Sequence, residues 1–138
     1  MYVVDASVWA SRFLADDVHH LPSHAWLRDR VSAGDELAVP AIALPEVAAA
    51  VARRANSAEA GLSSVGAMEG LPTIRLVPVD HALARLATEM GARLRLRGMD
   101  SIYLALARFL NIPLVTWDKE LQRRGAAVVE AVTPLDTD

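Results

Sequence analysis

Four acidic residues stand in local contexts that are typical of a carboxylate cluster: Asp5, Glu46, Asp100 and Asp118. Asp5 and Asp118 follow short apolar runs that are typical of buried strands, and Glu46 and Asp100 stand near the starts of apolar helices. In an open parallel sheet, ligands bind outside the carboxyl ends of the strands, where the following helices begin. We therefore predict that the four side chains converge at one edge of an α/β sheet.

Such a cluster favours a metal ion. Two carboxylates held about 4 Å apart repel by roughly 4 kcal/mol at an effective dielectric constant near 20. A hard divalent cation relieves this repulsion, and an all-oxygen ligand set favours Mg²⁺ or Mn²⁺, which keep several waters. A retained water has a lowered pKa and can attack a phosphate held by the same ion. The acids therefore predict phosphoester hydrolysis rather than calcium storage, and the chain has no EF-hand calcium loop.

Apolar runs and helical periodicities alternate along the chain. The strands are short and apolar, which favours an α/β architecture with a parallel sheet covered on both faces, in a single domain over residues 1–138. Residues 57–70 contain three glycines and read either as a loop or as a loose helix. Strands are predicted over residues 2–4, 36–39, 73–79, 113–116 and 126–132, and helices over residues 8–14, 20–31, 43–56, 81–96, 100–110 and 119–124.

Each acid also has a purely structural interpretation. Asp5, Asp100 and Asp118 each stand at the predicted start of a helix and could accept hydrogen bonds from its first amides as N-caps. Glu46 lies in a first helical turn, where the helix dipole stabilises a negative charge. These interpretations stay open for each residue alone, whereas the four acids together with their flanking residues favour a common site.

The composition limits the class of protein. Hydrophobic residues make up 53% of the chain and charged residues 22%, which is typical of a globular protein with a substantial core. There is no cysteine, so disulfides and thiolate metal sites are excluded. The first residues lack the basic and long apolar segments of a signal peptide, and no uncharged run approaches the roughly 18 residues of a membrane span. We therefore expect a soluble, cytoplasmic protein.

The net charge of -3 does not by itself indicate nucleic-acid binding, because binders of phosphate backbones usually present a basic face. A bound metal would cancel part of the acidic charge, however, and the arginines are locally clustered. Arg93, Arg95 and Arg97 lie just before Asp100 and are the arginines that we predict to contact a substrate. A solvated helix end is the alternative interpretation of this cluster.

Two other patterns do not support a site of their own. His20 and His24 are four residues apart, but the residues between them lack the glutamate of a zinc metalloprotease, and Pro22 argues against a regular helix there. The three tryptophans are expected to pack in the core or at an interface. Trp117, next to Asp118, is the one that we consider for stacking on a base.

Four segments around the acids resemble the motifs of the PIN domain family, and within it the VapC-type toxins of bacterial and archaeal toxin–antitoxin pairs. They are VVDASV at 3–8, VPAIALPEV at 39–47, DSIYLALA at 100–107 and LVTWDKEL at 114–121. Each motif is short, but their order and spacing agree with the family over nearly the whole chain. Pro45 directly before Glu46 is less usual and could shift that side chain slightly.

The resemblance implies a three-layer α/β/α, PIN-like fold whose short parallel sheet has the strand order 3-2-1-4-5. It implies an Mg²⁺- or Mn²⁺-dependent endoribonuclease, a hydrolase that cuts RNA phosphodiesters with a metal-activated water. It also implies that this nuclease is the toxin of a type II toxin–antitoxin pair, inhibited by a small cognate antitoxin, and that it forms a homodimer.

The resemblance also assigns roles at the site. The catalytic and metal-binding acids are the four named above, with Asp5 as the central ligand and Glu46 completing the cluster or orienting the attacking water. Ser7 and Thr116 are implied to support the cluster through hydrogen bonds. The three arginines before Asp100 would position RNA phosphates without reading the base sequence.

Three alternatives remain. A phosphoaspartate receiver domain also carries acids at strand ends, but Asp5 has no acidic neighbour and Lys119 does not follow a strand as a receiver requires. A PIN fold could serve as a non-catalytic module that binds RNA or protein. A housekeeping RNA-processing nuclease could use the same four acids without any toxin role.

Overall fold

A five-stranded sheet forms the centre of the molecule, and the computed structural model describes it within residues 1–137. Strands and helices alternate along the chain much as the periodicities predict. The elements are β1 (Tyr2–Val4), α1 (Ala6–Phe13), α2 (His20–Ser32), β2 (Leu37–Pro40), α3 (Ala43–Ala55), α4 (Ala58–Glu69), β3 (Ile74–Val77), α5 (His81–Leu94), α6 (Gly98–Leu110), β4 (Leu114–Val115), α7 (Lys119–Gly125) and β5 (Ala131–Val132).

All strand pairs are parallel, and the strand order is β3-β2-β1-β4-β5, which confirms the predicted order. The central strands are uniformly apolar because helices cover both faces of a parallel sheet. Val3 and Val4 of β1 and both residues of β4 are completely buried, and β2 is buried along its whole length. The predicted α/β class is therefore confirmed.

The strand order reverses direction at β1. The chain proceeds outward through β2 and β3, then returns past them through α5 and α6 to β4 on the other side of β1. Right-handed crossovers then place α1 to α4 on one face of the sheet and α5 to α7 on the other. The reversal opens a crevice between the carboxyl ends of β1 and β4, which is where ligands bind in open α/β sheets.

The glycine-containing segment that the sequence left ambiguous is the regular helix α4. Ser57 caps it by accepting a hydrogen bond from the amide of Ala60 (3.1 Å). Gly61 faces α3, where a Cβ atom at this position would overlap the carbonyl oxygen of Ala48. The glycine therefore serves close packing of two helices and does not break the helix.

Helix α2 agrees with the predicted range 20–31, and the argument that Pro22 prevents a regular helix there is wrong. Proline fits because the first turn of a helix needs no amide donor at that position. Two other predicted boundaries are wrong. Helix α6 begins at Gly98, so Asp100 lies inside its first turn and is not its N-cap. The last strand is only two residues long, since the amides of Val128 and Val129 both bond to the carbonyl of Gly125 and continue the turn after α7. Of the helices in the described chain, none has both the length and the apolar character that crossing a membrane requires.

Candidate active site

Asp5 lies at the centre of the candidate site. It follows β1 directly, caps α1, and is only 6% exposed. Its Oδ2 atom accepts three hydrogen bonds, from the amide of Ser7 (3.2 Å), the hydroxyl of Ser7 (2.5 Å) and the hydroxyl of Thr116 (2.9 Å). Within residues 1–137 no donor contacts its Oδ1 atom, which leaves that oxygen free to bind a cation.

The hydroxyls of Ser7 and Thr116 connect the ends of β1 and β4. Each has one proton, and each directs it to Asp5. Their oxygens then accept from the chain that follows β4: Ser7 from the amide of Trp117 (3.1 Å) and Thr116 from the amide of Asp118 (3.0 Å). Both hydroxyls that the resemblance implied as supporting residues thus donate to Asp5, and their role in a reaction stays a prediction.

Glu46 reaches the site from the first turn of α3. Its Oε1 atom accepts a hydrogen bond from the phenol of Tyr103 (2.7 Å), and this tyrosine is completely buried in α6. Tyr103 stands three residues after Asp100, so the same face of α6 carries both side chains toward the site. The sequence reasoning missed Tyr103, although its spacing from Asp100 was a usable signal. Pro45 fits within the first turn of α3.

Asp100 and Asp118 are joined by one arginine. The Nε atom of Arg97 donates to Oδ2 of Asp100 (3.0 Å), and its Nη2 atom donates to Oδ2 of Asp118 (2.8 Å). Asp118 also caps α7 through its other oxygen, which accepts from the amide of Leu121 (3.0 Å). Asp118 therefore caps α7 and also lies at the site.

The charges of the acid cluster (Asp5, Glu46, Asp100 and Asp118) influence one another. Burial raises the pKa of Asp5, the bonds from Ser7 and Thr116 oppose this, and the charge of Asp100 adds to it. Burial also raises the pKa of Glu46, against the hydrogen bond from Tyr103, and the charges of Asp5 and Asp100 raise it further. Desolvation likewise raises the pKa of Asp100, although Arg97 counteracts it. The cluster therefore disfavours its own negative charge and gains from a cation.

The chemistry of these side chains fits Mg²⁺ or Mn²⁺. All donors are carboxylate oxygens, which hard divalent cations prefer, and two of the acids already share a cationic guanidinium. Across residues 1–137, however, no three acidic or histidine side chains are grouped as a ready-made set of metal ligands. The Oδ2 atoms of Asp100 and Asp118 are instead paired with Arg97.

A basic rim borders the acid cluster. It lines a cavity of about 500 Å³ together with Asp100, Asp118, Glu120 and Leu96, and it consists of Arg95, Arg97, Lys119 and Arg124. Of the three arginines predicted to contact substrate, Arg95 and Arg97 belong to this rim. Arg93 instead pairs with Glu89 on the exposed face of α5 (3.0 Å). Lys119 and Arg124 were not predicted, since they reach this cavity through the packing of α7 near the end of α5, where Arg124 bonds to the carbonyls of Leu94 and Arg95.

The aromatic residue next to the site is held firmly in place. The indole of Trp117 donates to the hydroxyl of Ser23 (2.8 Å), and the ring of His19 stacks on it with centroids 4.0 Å apart. The other two tryptophans are buried in the core, as expected.

His20 and His24 have ring centroids 6.1 Å apart in a tilted arrangement.

Thr116 offers a direct test of the hydroxyl support. Thr116→Val keeps the shape of this fully buried side chain but removes a donor to Asp5 and the acceptor for the amide of Asp118. We expect the free energy of unfolding to fall by about 1–3 kcal/mol and nuclease activity to fall at least tenfold, roughly the effect of losing a supporting contact. Thr116→Ser, which keeps the hydroxyl, is the control. Urea unfolding measures the first effect, and cleavage of RNA, the substrate that the resemblance implies, measures the second. Equal behaviour of the two variants would contradict the role.

The fold and the site together define an α/β protein with an acidic centre at the switch point of its sheet. The PIN domain family model matches residues 2–127, and the chain belongs to this family. No significant match was found among curated proteins.

Solved structures share this fold at low sequence identity. The Mycobacterium tuberculosis toxin VapC20, described as cleaving the sarcin–ricin loop, has a TM-score of 0.75 and 22% identity, with 94% of this chain and 98% of that chain covered. FitAcB from Neisseria gonorrhoeae has a TM-score of 0.74 and 18% identity, covering 99% and 100%. VapBC2 from Rickettsia felis, bound to a promoter DNA fragment, has a TM-score of 0.71 and 14% identity, covering 96% and 97%. The chain thus has the fold of VapC toxins.

Proposed function

We propose that this protein is a Mg²⁺- or Mn²⁺-dependent endoribonuclease and the toxin of a type II toxin–antitoxin pair. The observation that carries the proposal is the acid cluster itself: three of its carboxyls are buried or half-buried and have raised pKa values. Asp100 and Asp118 of this cluster also line a cavity bordered by cations. A protein that needed only folding stability would gain nothing from this arrangement, since uncompensated buried charge is costly.

Each acid has a role in this proposal. Asp5, Asp100 and Asp118 would hold the ion, with the free Oδ1 atom of Asp5 as its central ligand. A bound ion supplies stabilisation of the charge on the phosphate and a water of lowered pKa. Glu46, which accepts a hydrogen bond from Tyr103, would orient the attacking water and accept its proton as a general base. The basic rim would hold the RNA backbone through its phosphates.

Two further parts of the proposal concern partners. A cognate antitoxin is supported by the similar structures, which include a toxin–antitoxin complex from Klebsiella pneumoniae and a DNA-bound VapBC from Salmonella typhimurium. A homodimer is supported by the resemblance to VapC toxins. Light scattering of the purified chain tests it, and a mass of 14.9 kDa would rule the homodimer out.

Metal removal tests the enzymatic proposal. The purified chain is expected to cut RNA in Mn²⁺ or Mg²⁺ and to lose this activity completely in EDTA, because the acids alone repel the phosphate. Activity should return when Mn²⁺ is added in excess of the chelator. The readout is the cleavage of a labelled RNA on a denaturing gel, and cleavage that persists in EDTA would contradict the proposal.

A further inference from the structure

Arg97 pairs with two of the acids, Asp100 and Asp118, that would hold a metal ion under the proposed function. Its guanidinium lies between the two carboxylates, with one nitrogen 3.0 Å from Oδ2 of Asp100 and another 2.8 Å from Oδ2 of Asp118. In residues 1–137 these are the ion pairs that the two acids make. If a divalent cation binds these two oxygens, the guanidinium cannot stay there, because two positive groups cannot occupy the same position.

The ion pairs of Arg97 with Asp100 and Asp118 can be broken and replaced by a metal ion. The side chain of Arg97 is 78% exposed, whereas those of Asp100 and Asp118 are 19% and 23% exposed. Ion pairs with a solvated partner contribute little to stability. A divalent cation, with twice the charge and a preference for carboxylate oxygens, can therefore displace the guanidinium without disturbing the fold.

Once displaced, Arg97 remains at a suitable place for binding an anion. It lies at the N-cap position of α6, and its side chain lines the same cavity as Arg95, Lys119 and Arg124. Arg124 is anchored there by bonds to the carbonyls of Leu94 and Arg95. A free guanidinium in this position matches the geometry of a phosphodiester, which it can bind through two parallel hydrogen bonds.

We propose that Arg97 is an exchangeable cation of this site: it neutralises Asp100 and Asp118 in the metal-free protein and binds an RNA phosphate once a metal ion has taken its place. This inference rests on the proposed function. The proposed role is specific to Arg97 and does not extend to Arg93, which pairs with Glu89 away from the acid cluster.

Arg97→Gln separates the two roles, because losing the first should strengthen metal binding and losing the second should weaken RNA binding. Without its competitor, the metal-free variant should bind Mn²⁺ about fivefold more tightly than the wild type, a change of the size expected for losing exposed ion pairs. With its phosphate contact gone, the same variant should show a KM for RNA raised by about fivefold, with a smaller change in kcat. Calorimetric titration with Mn²⁺ alone gives the first value, and steady-state cleavage gives the second.

Two variants serve as controls. Arg75→Gln removes the same charge from an exposed ion pair with Glu36, at the opposite end of the sheet from the acid cluster, and should leave both values unchanged. Arg97→Lys keeps the charge but loses the planar fork, so it should fall between the wild type and Arg97→Gln. If Arg97→Gln binds Mn²⁺ no more tightly than a wild type that binds the ion and cuts RNA, only the exchange is overturned. If neither protein binds Mn²⁺, the proposed function is overturned along with it.

Discussion

Replacing Asp5 with asparagine is expected to lower RNA cleavage by about a hundredfold or more, comparable to the loss of one preorganised electrostatic group at a transition state. The substitution keeps the size of the side chain and removes only its charge. Asparagine can still present one oxygen to the hydroxyls of Ser7 and Thr116, so the hydrogen bonds that join β1 to the end of β4 remain. The loss of activity should therefore come from the loss of the charge that would bind the cation under the proposed function.

The same variant should be at least as stable as the wild type. Burial raises the pKa of Asp5 above its ordinary value of 3.8, so the folded state holds the proton more tightly than the unfolded state. The stability that this proton contributes is fully present below pH 3.8 and is lost as the pH rises through the raised pKa. At neutral pH the wild type therefore carries a destabilising buried charge that Asp5→Asn lacks, and the difference should disappear in acid.

Urea unfolding in EDTA at several pH values, with cleavage assays in Mn²⁺, measures both effects. Asp29→Asn is the matched control, because Asp29 is an exposed carboxylate of α2 that pairs with its neighbour Arg28. This variant should leave RNA cleavage unchanged. If Asp5→Asn unfolds at a clearly lower urea concentration than the wild type, the lost activity is explained by misfolding. If this variant cuts RNA normally, Asp5 has no role in the reaction.

A second large effect is expected where α3 and α4 cross. Gly61→Ala should lower the free energy of unfolding by about 1–3 kcal/mol, the usual cost of overpacking a well-packed contact. The added methyl group would overlap the backbone carbonyl of Ala48 and would lie 3.0 Å from Cβ of Ala52. A backbone oxygen inside a helix cannot turn aside as a flexible side chain does, so the two helices must move apart.

Gly66→Ala, in the same helix, is the control with the opposite expected sign. A Cβ at Gly66 meets no atom within 4 Å, so alanine should stabilise α4 by about 0.5–1 kcal/mol through its higher helix propensity. Chemical denaturation followed by circular dichroism measures both variants. If both substitutions change stability in the same direction, the close packing of Gly61 is not what determines the effect.

The contrast between these two glycines shows why residues 57–70 were ambiguous in the sequence. Both positions weaken a helical pattern equally when only local propensity is considered. One glycine is required by a neighbouring helix and the other is not, and that difference exists only after α3 and α4 have packed. The boundary at Asp100 has a similar origin, because α6 starts two residues before this acid and leaves its carboxylate uncommitted to capping.

The sequence by itself determined the alternation of strands and helices and the four acidic positions, because residue type and periodicity are local properties of the chain. The strand order, in contrast, followed from the resemblance to a family and was confirmed by the fold. Tertiary structure alone decided which groups surround the acids: Tyr103 on Glu46, and Arg97 between Asp100 and Asp118. Such contacts join α3 to α6 and α6 to the loop after β4, and their distances depend on how whole elements pack, which no local pattern encodes.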